Sequence, residues 1–157
     1  MNIEQATIVD LAEVITWLSN ADESRTWAGP RVTYPLQPAQ LAAEIMFCQD
    51  NSYCLKHDNG LAGFGQLIKI NEDCYHLARI ITNPQCRGQG VARQLCSQLI
   101  NLAWQRGADI LSLNVYRHNQ AAIAIYQSLG FKEQIEKSDE TLVYMLLGND
   151  NTLTADN

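Results

Sequence analysis

The segment Thr82-Asn83-Pro84-Gln85-Cys86-Arg87-Gly88-Gln89-Gly90-Val91-Ala92 stands between two strongly patterned runs. Before it, Tyr75–Thr82 is apolar and reads as a strand. Pro84 ends that strand because proline cannot donate to a ladder. After it, Ala92, Leu95, Cys96, Leu99, Leu102 and Ala103 recur at helical spacing, and Gly107 is placed to terminate the helix. Glycines at 88 and 90 permit torsions and close approaches that a Cβ forbids. The first turn of a helix leaves N–H groups without intrahelical partners, and the macrodipole adds positive potential there. Strand, glycine turn and helix together make a place for a pyrophosphate, and Arg87 can add a forked, charged contact. A tight turn that binds nothing would use the same two glycines. Two other phosphate loops are excluded: there is no Gly-Lys-Ser/Thr, and no G-x-G-x-x-G follows the first strand.

Towards the C-terminus, Ile110–Tyr116 reads as a buried strand and Gln120–Leu129 as a helix stopped by Gly130. Asn119, Ala122 and Tyr126 share one face of that helix, seven residues being close to two turns. The run Ala121 to Ile125 is apolar, which predicts a largely buried helix. A buried tyrosine hydroxyl needs either a partner or an opening to a ligand. Asn119 reads either as an N-cap or as a ligand contact. Phe131–Glu136 and Thr141–Leu147 are set up as a final hairpin, and 148–157 as a polar, disordered tail.

Towards the N-terminus, Asn59-Gly60 between Ser52–His57 and Leu61–Ile70 is a hairpin signal. Pro38 suits the first turn of a helix with Leu41, Ile45 and Met46 inward. Residues 19–36 gather turn formers and aromatics and read as a long loop, with Trp27 and Tyr34 as candidates for a wall facing a ligand. Ile3–Thr7 is a short strand. Leu11, Val14, Ile15 and Leu18 follow helical spacing, with Asp10 as the expected cap. This order of elements predicts one domain over 1–147, α/β in class, with a mixed sheet flanked by helices.

At 157 residues with 46% hydrophobic and 18% charged content, the chain suits one compact domain. A formal net charge of −6 argues against a general nucleic-acid binder, which needs a basic stripe. Met1–Gln5 lacks the basic-then-apolar pattern of a signal peptide, and no apolar run approaches the roughly 18 residues of a membrane span. A cytoplasmic protein with no membrane partner is the expectation. The five cysteines show no C-x-x-C spacing, so neither a disulfide framework nor a bound metal is expected.

The chain resembles the GNAT superfamily of N-acetyltransferases. The family pattern Gln/Arg-x-x-Gly-x-Gly/Ala reads here as Gln85 to Gly90, and an Asn-x-x-Ala-x-x-x-Tyr-x-x-x-Gly-Phe pattern reads as Asn119, Ala122, Tyr126, Gly130 and Phe131. The resemblance covers about 77–131. It implies a mostly antiparallel sheet and acetyl-CoA as co-substrate, with no metal. Transfer would be by direct attack of a primary amine, borne by a small molecule or a peptide, and a homodimer is left open. It implies that the backbone amides of Arg87, Gly88, Gln89, Gly90, Val91 and Ala92 hold the coenzyme A pyrophosphate. Edge groups of Ile80, Ile81 and Thr82 would pair with the pantetheine arm, a bulge there aiming an N–H at the thioester carbonyl. Asn119 and Ala122 would line the coenzyme arm, and Tyr126 would protonate the departing thiolate. His76 stands where a family glutamate often takes the amine's proton, and Asn114 replaces another frequent glutamate. Cys86 has no histidine near it in sequence, which disfavours covalent catalysis. A non-catalytic module that senses acyl-CoA would need the same loop.

Overall fold

A computed structural model describes residues 1–58 and 60–150, which form seven strands and five α-helices. The strands are β1 (Ile3–Gln5), β2 (Ser52–His57), β3 (Gly60–Lys69), β4 (Cys74–Thr82), β5 (Ile110–Tyr116), β6 (Lys132–Glu133) and β7 (Leu142–Gly148). The helices are α1 (Ile8–Ile15), α2 (Ala21–Ala28), α3 (Pro38–Glu44), α4 (Val91–Gln105) and α5 (Gln120–Ser128). The strand order is β1-β2-β3-β4-β5-β7-β6. Strands β4 and β5 run parallel, Cys74–Leu77 against Ile110–Leu113, while β1–β2, β2–β3, β5–β7 and β6–β7 run antiparallel. The α/β class and the mostly antiparallel sheet agree with the sequence reading. Asn59 of the hairpin signal and residues 151–157 of the expected tail lie outside the described residues. Gly148 of that tail closes β7, and the Asn149 N–H donates to the Asp109 carbonyl at 2.9 Å.

The chain clusters into two compact units. The first takes Met1–Gln66 and Arg79–Leu95. Its core gathers Leu11, Val14, Leu41, Ile45, Cys54 and Phe64, with Trp27 and Ile81 packed against it. The second takes Leu67–Ala78 and the chain from Cys96 onward. Its buried residues include Leu77, Leu99, Leu111, Leu113, Phe131 and Met145.

Several expectations are corrected. Residues 19–36 are not a continuous loop, because α2 forms within them. Asn20 caps it by accepting the Glu23 N–H at 2.8 Å, and the Glu23 carboxylate reaches back to the Ser19 N–H at 2.7 Å. In α1 the cap is Thr7 rather than Asp10. Asp10 sits at the third helical position and accepts the Thr7 N–H, closing a capping box. Thr7 and Lys56 also hold its carboxyl below the usual range, against the opposing pull of burial. Met46, expected inward, is 64% exposed because the chain turns left-handed there (φ 54°). Helix α5 is not largely buried: Ala121 and Ala124 face solvent, and Tyr126 is its one buried residue.

Candidate active site

The loop before α4 belongs to the first unit. Asn83 anchors its start. Its N–H donates to the Ala62 carbonyl at 2.8 Å, its side-chain amide to the Leu61 carbonyl at 2.9 Å, and its Oδ1 accepts the Gln85 N–H at 3.0 Å. Pro84–Cys86 then makes one 3₁₀ turn, closed by the Cys86 N–H on the Asn83 carbonyl at 2.8 Å. Cys86 is buried beneath the loop, with His57 Nε2 at 3.4 Å from its Sγ. Twenty-nine residues separate this pair, so no local pattern announces it.

Beyond Cys86 the chain emerges. Arg87, Gly88, Gln89 and Gly90 are exposed, and the two glycines are left-handed, with φ of 78° and 75°. A Cβ built on either would meet nothing within 4 Å, so the space above the loop is empty of protein. The Gly90 carbonyl accepts the Gln94 N–H at 3.0 Å, which makes Gly90 the residue that opens α4. It has no side chain with which to satisfy the amides of Val91 and Ala92 in the first turn. Donors and helix dipole converge on open space, so the loop fits a phosphate-bearing ligand.

Ile80, Ile81 and Thr82 finish β4 and are partly exposed. Just ahead of them, Arg79 departs from strand geometry with φ 54°. The parallel ladder to β5 ends at Leu77, two residues earlier. Trp27 does not form an open wall. Its indole N–H donates to the Arg79 carbonyl at 2.8 Å, and its ring meets Phe64 edge-on at 5.9 Å. Tyr34 is 44% exposed.

The second unit holds the other expected site residues. His76 lies opposite Ser112 in the parallel register, and its Nδ1 is 2.7 Å from the Ser112 Oγ. Asn119 is the N-cap of α5, its Oδ1 accepting the Ala122 N–H at 3.3 Å. The Tyr126 ring is buried and meets Phe131 edge-on at 6.1 Å. Burial, with the nearby Cys96, pushes its phenol above the ordinary value, so the protonated form is the stable one. Among the described residues no fully buried side-chain oxygen or nitrogen lacks a partner, and the Tyr126 hydroxyl has no hydrogen bond to another described residue. The phenol oxygen therefore reaches a surface at the end of an otherwise enclosed ring.

Among the described residues no group of three or more His, Cys, Asp or Glu side chains is placed to hold a metal, and no helix is long and apolar enough to cross a membrane. Sequence reasoning did not single out Asn83, His57 or Arg79. For Arg79 a signal existed: a lone charged residue interrupts the apolar run Leu77–Thr82.

Residues 13–131 match the model of the acetyltransferase (GNAT) family. The [ribosomal protein bS18]-alanine N-acetyltransferase of Escherichia coli (strain K12) is 44% identical over 82 residues, 52% of this chain and 55% of that protein. The chain thus spans about half the length of the curated relatives it matches. Among solved structures, the ribosomal-protein-S18-alanine N-acetyltransferase from Escherichia coli shares the fold with a TM-score of 0.71 at 24% identity, over 94% of this chain and 92% of that one. The PaiA N-acetyltransferase from Thermoplasma acidophilum, solved in complex with coenzyme A, has a TM-score of 0.73 at 21% identity, over 94% and 98% of the two chains.

Proposed function

The chain belongs to the acetyltransferase (GNAT) family, and from that premise we propose that it moves an acetyl group from acetyl-CoA to a primary amine by direct attack. The observation that carries this reading is the exposed, left-handed glycine pair at the start of α4, with open space above it. The amides from Arg87 to Ala92 hold the pyrophosphate of the donor, and Arg87 adds charge. The last residues of β4, Ile80 to Thr82, offer backbone groups to the pantetheine arm and an N–H to the oxygen that becomes negative.

In the reaction the amine nitrogen forms a bond to the thioester carbon, the oxygen takes up the electron pair, and the C–S bond then breaks. His76 accepts the proton that the ammonium must lose before it can attack, and Ser112 orients the imidazole. Tyr126 gives its proton to the departing thiolate, and the second proton, shed by the acylated nitrogen, passes through solvent to restore the phenol. A phenol kept protonated by burial, with its oxygen at a surface, suits that task. The side-chain NH₂ of Asn119 remains available to the coenzyme arm beside Ala122, since capping uses only the oxygen. The acyltransferase domain is taken as 1–147, with Gly148 added by β7, and a cytoplasmic setting, where acetyl-CoA and reduced thiols are found together, suits the reaction.

The acceptor is a primary amine on a small molecule or a peptide. A thiol-release assay with acetyl-CoA tests this across a panel containing an alanine peptide, a polyamine, an amino sugar and free amino acids. The alanine peptide is included because the Escherichia coli relative is named for an alanine of a ribosomal protein. Release that depends on one of these amines is the expected result. Coenzyme A binding with no amine-dependent release by any of them would make the protein an acyl-CoA sensor instead.

A further inference from the structure

Arg79 occupies an unfavourable backbone conformation in the middle of β4. Its φ of 54° lies in the left-handed region, which a Cβ disfavours. One such residue breaks the pleat and redirects the peptides that follow it, here Ile80, Ile81 and Thr82. A conformation of this kind persists only where its surroundings over-determine it.

Arg79 is over-determined from three sides, all within the first unit. The Trp27 indole N–H donates to its carbonyl at 2.8 Å. Its own Nε–H donates to the Ala28 carbonyl at 3.1 Å, and Nη1 donates to Gln66 Oε1 at 2.9 Å. The contact with α2 is therefore reciprocal: a side chain of the helix grips the backbone of Arg79, and the side chain of Arg79 grips the backbone of the helix. Gln66 is fully buried, and its NH₂ donates to the Ile45 carbonyl and to Ser52 Oγ at 3.1 and 3.0 Å. Both amide donors are thus spoken for, and the carbonyl oxygen must face Arg79.

The guanidinium is largely enclosed, yet none of the ion pairs among the described residues involves it. Ala28 is the last residue of α2, and its carbonyl is one of the unpaired acceptors at the negative end of that helix. That end provides the favourable field which a carboxylate would otherwise supply. Burial lowers the guanidinium pKa from its ordinary value, but an arginine stays charged.

We propose that Arg79 is a positioning residue: clamped to the end of α2 and to Gln66, it holds the kink in β4 that aims the Ile80–Thr82 backbone at the acyl donor. This rests on the reading that Ile80–Thr82 meets the thioester arm. It adds a reason for α2 to be where it is, since Trp27 and Ala28 form half of the clamp.

The test compares Arg79→Ala, Arg79→Gly and Trp27→Phe with the unaltered protein. Each is measured for kcat and KM with acetyl-CoA and the fastest amine of the panel above, for coenzyme A affinity by calorimetry, and for melting temperature. Alanine loses the clamp and resists the left-handed backbone. Glycine loses the same clamp but adopts that backbone freely. Arg79→Ala should lower kcat about tenfold, the scale of a left-handed penalty carried into the transition state, with coenzyme A affinity little changed. Arg79→Gly should recover a large part of that loss, although glycine is ordinarily the poorer strand residue. Trp27→Phe keeps the ring against Phe64, removes the N–H donor, and should lower kcat about threefold, close to one neutral hydrogen bond. If Arg79→Gly is no faster than Arg79→Ala, or if all variants keep normal kcat, the inference is overturned. Should Arg79→Ala fail to fold, a Trp27→Phe protein with unchanged kcat overturns it equally. An unaltered protein that transfers no acetyl group sinks the proposed activity instead, and the two failures are distinct.

Discussion

Helices α4 and α5 begin in opposite ways. At α5 the cap residue Asn119 accepts the Ala122 N–H, and the Gln120 side chain returns to the Arg117 carbonyl. Thr7 and Asn20 cap α1 and α2 in the same self-contained manner. At α4 the opening residue is Gly90, which has no side chain and is left-handed like Gly88, and Arg87, Gly88 and Gln89 before it are exposed. A missing side-chain cap is not enough by itself, since Gln37 gives α3 none and Pro38 opens that helix; at α4 the missing cap coincides with exposed, glycine-opened backbone. Helix α4 leaves its first backbone donors uncapped, whereas α5 is capped from within; in the proposed reaction α4 would hold the phosphates and α5 would supply the Asn119 amide and the Tyr126 phenol.

If that division holds, the largest effect belongs to Tyr126→Phe. We expect kcat to fall by roughly 10²-fold or more, the scale of a lost general acid, with coenzyme A affinity and melting behaviour near those of the unaltered protein. Because burial raises the phenol above its ordinary value, the proton-bearing form persists at alkaline pH. The loss should therefore be of similar size at every pH from about 6 to 9. Normal turnover would return Tyr126 to packing and leave α5 without chemistry. His76→Ala comes next: we expect roughly a tenfold or greater fall in kcat near neutral pH and a changed acidic limb in the rate profile. Superimposable profiles would exclude His76 as the base. The smallest effect is expected for Asn119→Ala. Loss of the cap should cost about 1 kcal/mol, or about 2–4 °C in melting temperature for a chain of this size. The same variant loses the amide offered to the coenzyme arm, so coenzyme A affinity should fall by a few-fold, about one hydrogen bond, and unchanged affinity would leave Asn119 as a cap alone.

Much of this architecture was legible from local pattern. The bounds of β5 agree residue for residue, and β2, β3, β4 and α4 agree to within a residue or so, because apolar periodicity, Pro84 and Gly107 act locally. Helix α2 was missed because its polar composition resembles a loop, although Asn20 and Glu23 carry an N-terminus signature at the right spacing. The exposure of α5 was misjudged because Ala121 and Ala124 count as apolar, yet alanine favours helix whether or not it is covered. In the candidate site the glycine turn could be read from spacing alone. The arrangement that supports it could not. His57 beside Cys86, Asn83 reaching Leu61 and Ala62, and Arg79 clamped to α2 all depend on long-range contacts that one sequence does not reveal.

The most direct test of the central claim is a calorimetric titration of coenzyme A into the unaltered protein and into folded Gly88→Ala and Gly88→Val. A Cβ at position 88 meets no protein atom within 4 Å, so any steric consequence falls on the ligand, and the positive φ adds backbone strain to the loop. The predicted result is binding by the unaltered protein, weakened by about tenfold or more in Gly88→Ala and further in Gly88→Val, since 1.4 kcal/mol already corresponds to a factor of ten. Equal affinity in all three folded proteins would contradict it and place the coenzyme away from the start of α4.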